Sequence, residues 1–454
     1  MSEQIGPTTH HSSLITHYSP GVLVLEDGTV YPGTLFGAPV EAAAEVVFNT
    51  GMAGYQEICT DPSYRGQMVV LTHPQIGNYG VDAGVSESTR PWVAALIVRE
   101  LAAYHHHWSA AESLDSYLRR HGVPGLQDVD TRALTRRLRT HGTLRGVLAP
   151  APAGGLSAAY VESLVERARA LPWLSDRDVV GEVTGAARLP PHPQPLSHEG
   201  ERGANGSLSL WERPDAPGIL HGGMRAGPVV VLDCGAKHNI VRSLQRRGVP
   251  VVVVEATKDL TVDAILSPLP PVGEGRDARS IPRRGMRGHP AGVVLANGPG
   301  DPAALPHVAG VVRELLATDV PIMGICLGHQ LLALAAGGTT SRLKYGHHGA
   351  NHPVKDLRTG RVHITSQNHE FQVDAASLPP DSGFYVSHVN LNDGSVEGIA
   401  HRERPIFSVQ FHPEGCPGPQ DNQYLFDYFL DELVAGRRQP PAVSDQQDTL
   451  KAEG

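Results

Sequence analysis

The sequence predicts an α/β protein: an α+β domain over residues 20–151, then a domain over 228–437 built on a mostly parallel sheet flanked by helices. Three observations carry this. From Pro228 onward, short runs of β-branched residues alternate with helical patterns, the rhythm of a parallel sheet covered on both faces. Before residue 150, strand-like and helix-like runs mix without that alternation, as in a compact α+β unit. Finally, Gly324-Ile325-Cys326-Leu327-Gly328-His329-Gln330 sets a cysteine between glycines where an apolar strand passes into an apolar helix.

Each element follows from local pattern. Val22-Leu23-Val24-Leu25 running into Glu26-Asp27-Gly28-Thr29 reads as a strand and turn, and Val46-Val47-Phe48 and Met68-Val69-Val70-Leu71 as further strands. Helical spacing follows over Ser113 to His121 and Asp130 to His141. In the second domain Val229-Val230-Val231-Leu232, Val251 to Val254 and Val293-Val294-Leu295 read as buried strands, with helices over Asn239 to Arg247 and Ala303 to Ala317. Residues 152–227 read as a linker. Two stretches rich in Pro, Gly and charge interrupt the order, 189–216 within the linker and 267–290 inside the α/β domain. Both are expected to be disordered insertions, because neither buries enough apolar area to offset the entropy of ordering. Arg276, Arg279, Arg283, Arg284 and Arg287 leave a basic docking loop as the functional alternative for the second. Residues 1–19 and 438–454 are expected to be loose tails.

Composition narrows the function classes. The 454 residues suffice for two or three cores. Apolar residues make up 40% and charged residues 19%, as in a soluble globular chain, and a net charge of −9 gives no electrostatic footprint for nucleic acid. Four widely spaced cysteines (Cys59, Cys234, Cys326, Cys416) form neither a disulfide framework nor a Cys-x-x-Cys metal site. No apolar run approaches the ~20 residues of a membrane span, and Met1 to Pro20 lacks the charged-then-apolar pattern of a secretory signal. A cytoplasmic protein is expected, with no nucleic acid or membrane as partner.

The chemistry centres on Cys326. A thiol at a strand–helix apex mimics the G-x-S-x-G nucleophile elbow with sulfur in place of oxygen. Flanking glycines permit a strained backbone, and the N-terminal amides of the following helix favour thiolate. The nucleophile needs a base and a group that orients it. Phe407-Ser408-Val409-Gln410-Phe411-His412-Pro413-Glu414 offers both: an apolar strand delivers His412, and Glu414 follows two residues on to fix the tautomer. His347, His348 and His369 compete as bases but lack a nearby carboxylate of the right kind, and His105-His106-His107 reads as a solvated loop rather than a metal site. Asn297-Gly298-Pro299-Gly300-Asp301-Pro302, a tight turn after a strand, exposes backbone N–H groups suited to a carboxylate or an oxyanion. Asp233-Cys234-Gly235-Ala236-Lys237 lacks the spacing of a phosphate loop, so no nucleotide site is expected.

Together G-x-C-x-G and the later His-Pro-Glu resemble the class I glutamine amidotransferases. A narrower resemblance, to the glutamine-hydrolysing small subunits of carbamoyl phosphate synthetase, rests first on Phe48-Asn49-Thr50-Gly51-Met52-Ala53-Gly54-Tyr55-Gln56-Glu57 and Thr60-Asp61-Pro62-Ser63-Tyr64. It continues in Ile76-Gly77-Asn78-Tyr79-Gly80 and Asp128-Val129-Asp130-Thr131-Arg132, and in the second domain in Gly346-His347-His348-Gly349-Ala350-Asn351-His352-Pro353-Val354 and Ser366-Gln367-Asn368-His369. The resemblance covers nearly the whole chain apart from the insertions and tails.

The resemblance implies glutamine hydrolysis through a γ-glutamyl thioester on Cys326, with His412 as base and acid and Glu414 as its orienter. It places the glutamine contacts at Gly51, Gly298, Gly300, Leu327, Gln330, Asn368, Glu370 and Phe371, with Leu327 giving its backbone N–H to the oxyanion. Gly51 stands where some members carry serine. Glu370 stands where glycine is common, so only its backbone is expected to serve. The implied partner is the large synthetase subunit, which uses ATP, a divalent metal ion and bicarbonate to make carbamoyl phosphate for arginine and pyrimidine synthesis; no cofactor is expected in this chain. Two alternatives stand beside this: the glutaminase subunit of another pathway, such as anthranilate or guanylate synthesis, which leaves residues 48–64 unexplained, and a non-catalytic regulatory scaffold.

Overall fold

The computed structural model describes residues 19–82, 84–185, 227–268 and 290–436. The insertion at 189–216, most of that at 267–290, all of the first tail but Ser19, and the whole of the second tail lie outside the described residues.

The first domain is a closed seven-stranded barrel. Its strands run in the order Pro20–Leu25, Val30–Gly37, Pro124–Gln127, Ala95–Ile97, Gln67–Leu71, Ala42–Asn49 and Leu144–Pro150, the last pairing back with the first. Closure removes the exposed edges that an open sheet would present. Alternation decides what each strand faces. Leu23 and Leu25 point into the barrel core with Val46, Phe48, Met68 and Val70. Val22 and Val24 point outward and are covered by Leu164, Val165 and Ala168 of the helix Ala158–Ala170. That helix corrects the linker reading of 152–227: capped by Ser157, whose side chain accepts from Tyr160 N–H, it is an integral layer of the barrel.

The second domain holds a nine-stranded sheet. Five strands are parallel, in the order Val251–Glu255, Val229–Asp233, Gly292–Leu295, Ile322–Ile325 and Ile406–Val409. Val230, Leu232 and Val293 pack into one covering layer, Val229, Val231 and Val294 into the other, which is why these segments read as continuous apolar runs. Val251–Glu255 is only half-buried, because it forms the sheet's edge. Four antiparallel strands extend the sheet: Val396–His401, Phe384–Asn390, Thr340–Asp356 and Val362–Val373. The last two form a long hairpin whose register shifts between Arg342 and His347 and again between Gly349 and His352. It carries the histidine-rich motifs, to which sequence pattern assigned no element. Its bulged end meets the barrel: Thr50 N–H donates to His348 O (3.2 Å) and Thr143 N–H to Lys344 O (3.3 Å).

Candidate active site

The strand Ile322–Ile325 ends at Cys326, and the helix Leu327–Ala335 begins at the next residue. Cys326 itself carries the strain, at φ 53° and ψ −106°, a conformation costing an L-residue on the order of 1–3 kcal/mol. The expectation that the flanking glycines supply this freedom is corrected, since neither Gly324 nor Gly328 has a positive φ. They are required for space. A Cβ on Gly328 would overlap Leu295 O, and one on Gly324 would lie 2.8 Å from Gly328 O and Ser408 Cβ. The turn is held by Cys326 N–H to Val409 O (2.9 Å) and Gly328 N–H to Ala296 O (3.1 Å). The thiol is buried, with Sγ 3.5 Å from Asn368 O.

His412 lies three residues beyond Ile406–Val409, the parallel neighbour of the Cys326 strand, so both side chains arrive at the same carboxyl edge of the sheet. Its Nδ1 is 2.7 Å from Glu414 Oε1, and Lys237 Nζ lies 2.9 Å from the same oxygen. All three side chains are fully buried. Burial works against a charged imidazole, but Glu414 outweighs it and raises the His412 pKa to about 10, with the Cys326 thiol adding to the effect. Burial likewise opposes ionisation of Glu414, yet Lys237 and then His412 carry its pKa down to about 2. Lys237 is buried too, and Glu414, Glu87 and Asp61 hold its pKa above the ordinary lysine value. His412 Nε2 is buried without a hydrogen bond of ordinary geometry, so it remains available to reacting atoms.

Lys237 is the residue that sequence reasoning missed. Its segment was set aside as a phosphate loop of the wrong spacing, and the loop amides are indeed occupied: Asp233 Oδ1 accepts from Gly235 N–H (2.8 Å) and Ala236 N–H (2.7 Å). The available signal was position, just past the carboxyl end of a parallel strand. Asp61 and Glu87 of the first domain were missed for a different reason, because no local pattern announces a contact across a domain boundary.

Beside Cys326 opens a cleft of about 450 Å³, its mouth included. Gly298, Gly300, Gln330, Asn368, Glu370 and Phe371 line it. Gly300 needs glycine for its φ of +87°, and a Cβ on Gly298 would overlap Cys234 O. Gln330 Nε2 donates to Phe371 O (2.8 Å) and Gln410 Oε1 (3.1 Å), while Asn368 Nδ2 donates to Asp61 Oδ2 across the domain boundary (2.9 Å). Leu327 is buried against Gly298 rather than lining the cleft. Gly51 sits apart, in a second cavity bordered by Asn368 and His412, where its N–H donates to Asn49 Oδ1 (2.7 Å).

Two of the three competing histidines have carboxylate partners, supplied from distant sequence. His347 Nε2 is 2.8 Å from Asp393, and His348 Nε2 is 3.0 Å from Glu370. His369 is bonded at both nitrogens, to Phe371 O (2.8 Å) and Gln367 Oε1 (3.0 Å), and burial pulls its pKa well below the usual value. None of the three combines a thiol with a carboxylate as His412 does. Among the described residues one group, His347, His369 and Glu397, has its ligand atoms within 4.8 Å of one another. Both oxygens of Glu397 already accept from Gln367 (3.0 Å) and Asn390 (2.8 Å), while His347 Nδ1, 3.6 Å from Glu397, is buried without a hydrogen bond.

Two family matches and a set of relatives accompany this geometry. Residues 23–148 match the family described as carbamoyl-phosphate synthase small chain, CPSase domain, and residues 230–432 match glutamine amidotransferase class-I. The chain is 49% identical to the carbamoyl phosphate synthase small chain of Symbiobacterium thermophilum, over 89% of this chain and 96% of that one. It is 44% identical to the protein of the same name from Chlorobaculum tepidum, over 91% and 97%, and 45% identical to that of Methanopyrus kandleri, over 90% and 97%. No helix among the described residues is long and apolar enough to cross a membrane.

Proposed function

The chain belongs to the family of carbamoyl phosphate synthase small chains and carries a class I glutamine amidotransferase domain; from that premise we propose that it releases ammonia from glutamine through a thioester on Cys326 and hands it to a large synthase subunit. The observation that carries the mechanism is the strained Cys326 elbow beside a buried His412 whose Nδ1 is fixed on Glu414.

An imidazole with so high a proton affinity takes the thiol proton at Nε2 while Nδ1–H stays on the carboxylate. The thiolate attacks the amide carbon of glutamine, and the oxyanion develops near the backbone N–H of Leu327, the first residue of the elbow helix. His412 then gives its Nε2 proton to the departing nitrogen, which leaves as ammonia, and the γ-glutamyl thioester remains. Water, deprotonated by the same nitrogen, attacks the thioester and releases glutamate and the thiolate. Gly298, Gly300, Gln330, Asn368 and Phe371 bind the substrate in the cleft, with the carboxylate end toward the Gly298–Gly300 turn. Gly51 acts from the neighbouring cavity, behind Asn368.

Ammonia in neutral water is mostly protonated and then not nucleophilic, so direct transfer to a partner is the economical arrangement. The large subunit supplies the ATP and divalent-metal chemistry, and the carbamoyl phosphate serves arginine and pyrimidine synthesis in the cytoplasm. The test is Cys326→Ser in the complex with the large subunit. Glutamine-dependent carbamoyl phosphate synthesis should fall by at least roughly 10³-fold, while synthesis from added ammonia continues. Retention of glutamine-dependent synthesis would refute the thioester.

A further inference from the structure

The cleft beside Cys326 has an uneven charge balance. Arg342 lines it together with two carboxylates, Glu45 and Glu370. Arg342 Nη2 is committed to Glu45, at 2.5 Å, and stands 3.5 Å from Glu370. The remaining contacts of Glu370 are His348 Nε2 (3.0 Å), Thr143 Oγ1 (3.1 Å) and Gln67 Nε2 (3.4 Å). Its carboxylate therefore sits in a nearly enclosed site, 10% exposed, and shares with Glu45 the guanidinium of Arg342. One guanidinium set against two carboxylates leaves the cleft suited to one more cation.

Position along the strand indicates which cation. Glu370 follows Asn368 by two residues in Val362–Val373, so the two lie on one face about 7 Å apart. Asn368 O marks the reacting end, 3.5 Å from Cys326 Sγ. In glutamine the α-carbon stands three bonds from the amide carbon, roughly 4 Å away, and the α-ammonium one bond further. With the amide at Cys326, the ammonium reaches the level of Glu370.

We propose that the Glu370 carboxylate receives the α-ammonium group of the substrate amino acid and so selects a zwitterionic amide over one without the amine. The inference rests on the glutaminase reading and extends it. It assigns a side-chain role to a position where the resemblance implied only a backbone one.

The test compares L-glutamine with 5-amino-5-oxopentanoate, the same amide without the α-ammonium, as substrates of the full chain bound to its large subunit. In wild type kcat/KM should favour L-glutamine. In Glu370→Gln and Glu370→Gly the preference should shrink by roughly 10- to 100-fold, the scale of one charge-assisted hydrogen bond. The loss should appear in KM for L-glutamine and be clearly smaller on the deaminated amide. Glu370→Asp should restore part of the preference. The glycine variant, which removes the side chain altogether, provides the reading should the glutamine variant misfold. Equal losses on both substrates would make Glu370 a structural strut and overturn the inference, as would an unchanged preference. Wild type that hydrolyses no glutamine would remove the glutaminase reading itself.

Discussion

Lys237 and His412 converge on a single oxygen of Glu414, at 2.9 and 2.7 Å, with all three side chains withdrawn from water. The carboxylate thus divides its charge between a fixed ammonium and the His412 imidazole. Lys237 touches no reacting atom and acts as a positioning residue, holding Glu414 against His412. Removing one partner of a buried pair costs about 3–5 kcal/mol, because the other charge is left uncompensated. Lys237→Met should therefore destabilise the chain by that order and lower kcat more than it raises KM. A double-mutant cycle with Glu414→Gln, read by denaturant unfolding, should give a coupling energy of at least about 1 kcal/mol. Simple additivity would mean that the two residues act independently.

The same triad sets a pH signature for stability. His412 is raised from 6.5 to about 10, so its contribution is fully present below pH 6.5 and is lost as pH climbs through 10. Glu414 is lowered from 4.5 to about 2, so its contribution is present above pH 4.5 and is lost as pH falls through 2. His347, raised to about 9 by Asp393 and Glu397 against the pull of burial, adds to the alkaline decline. Unfolding free energy should thus fall steadily from about pH 6.5 to 10. In His412→Gln that slope should be shallower by one proton, about 1.4 kcal/mol per pH unit. Parallel slopes for the two proteins would show that His412 is not charged in the folded chain.

Much of this site was legible because its parts announce themselves locally. Cys326 between glycines, His412 with Glu414 two residues on, and the Gly298–Gly300 turn each sit at the carboxyl end of an apolar strand, where a parallel sheet collects its functional groups. What stayed hidden depends on tertiary approach. Lys237 reads as an ordinary surface lysine until the fold buries it against a residue 177 positions later. The carboxylate partners of His347 and His348 arrive only through hairpin register and sheet neighbours. Helix Ala158–Ala170 has a weaker apolar stripe than its neighbours, with only Leu164, Val165 and Ala168 fully covered, which is why it passed for linker.

Strain at Cys326 predicts an inverted order of stability. Glycine usually weakens a fold relative to alanine through its greater unfolded entropy. At φ 53° and ψ −106° the backbone instead penalises any side chain. Cys326→Gly should therefore be more stable than Cys326→Ala by about 1 kcal/mol. Urea midpoints at constant m-value measure this directly, and an alanine variant equal to or above glycine would show that the turn relaxes without cost.

The outer layer of the barrel gives the last prediction. Leu164 is fully buried between Val22, Val24, Val147 and Ala149, from the two strands that close the barrel. A Leu→Ala change there removes apolar contact and leaves a cavity that rigid paired strands cannot fill, a loss of about 2–5 kcal/mol. The site lies on the outward face of Pro20–Leu25 and Leu144–Pro150, away from the cleft beside Cys326. Leu164→Ala should consequently lower the unfolding temperature while leaving KM for glutamine within about twofold of wild type below the transition. A destabilisation under about 0.5 kcal/mol, the range of an exposed position, would return residues 158–170 to the status of linker.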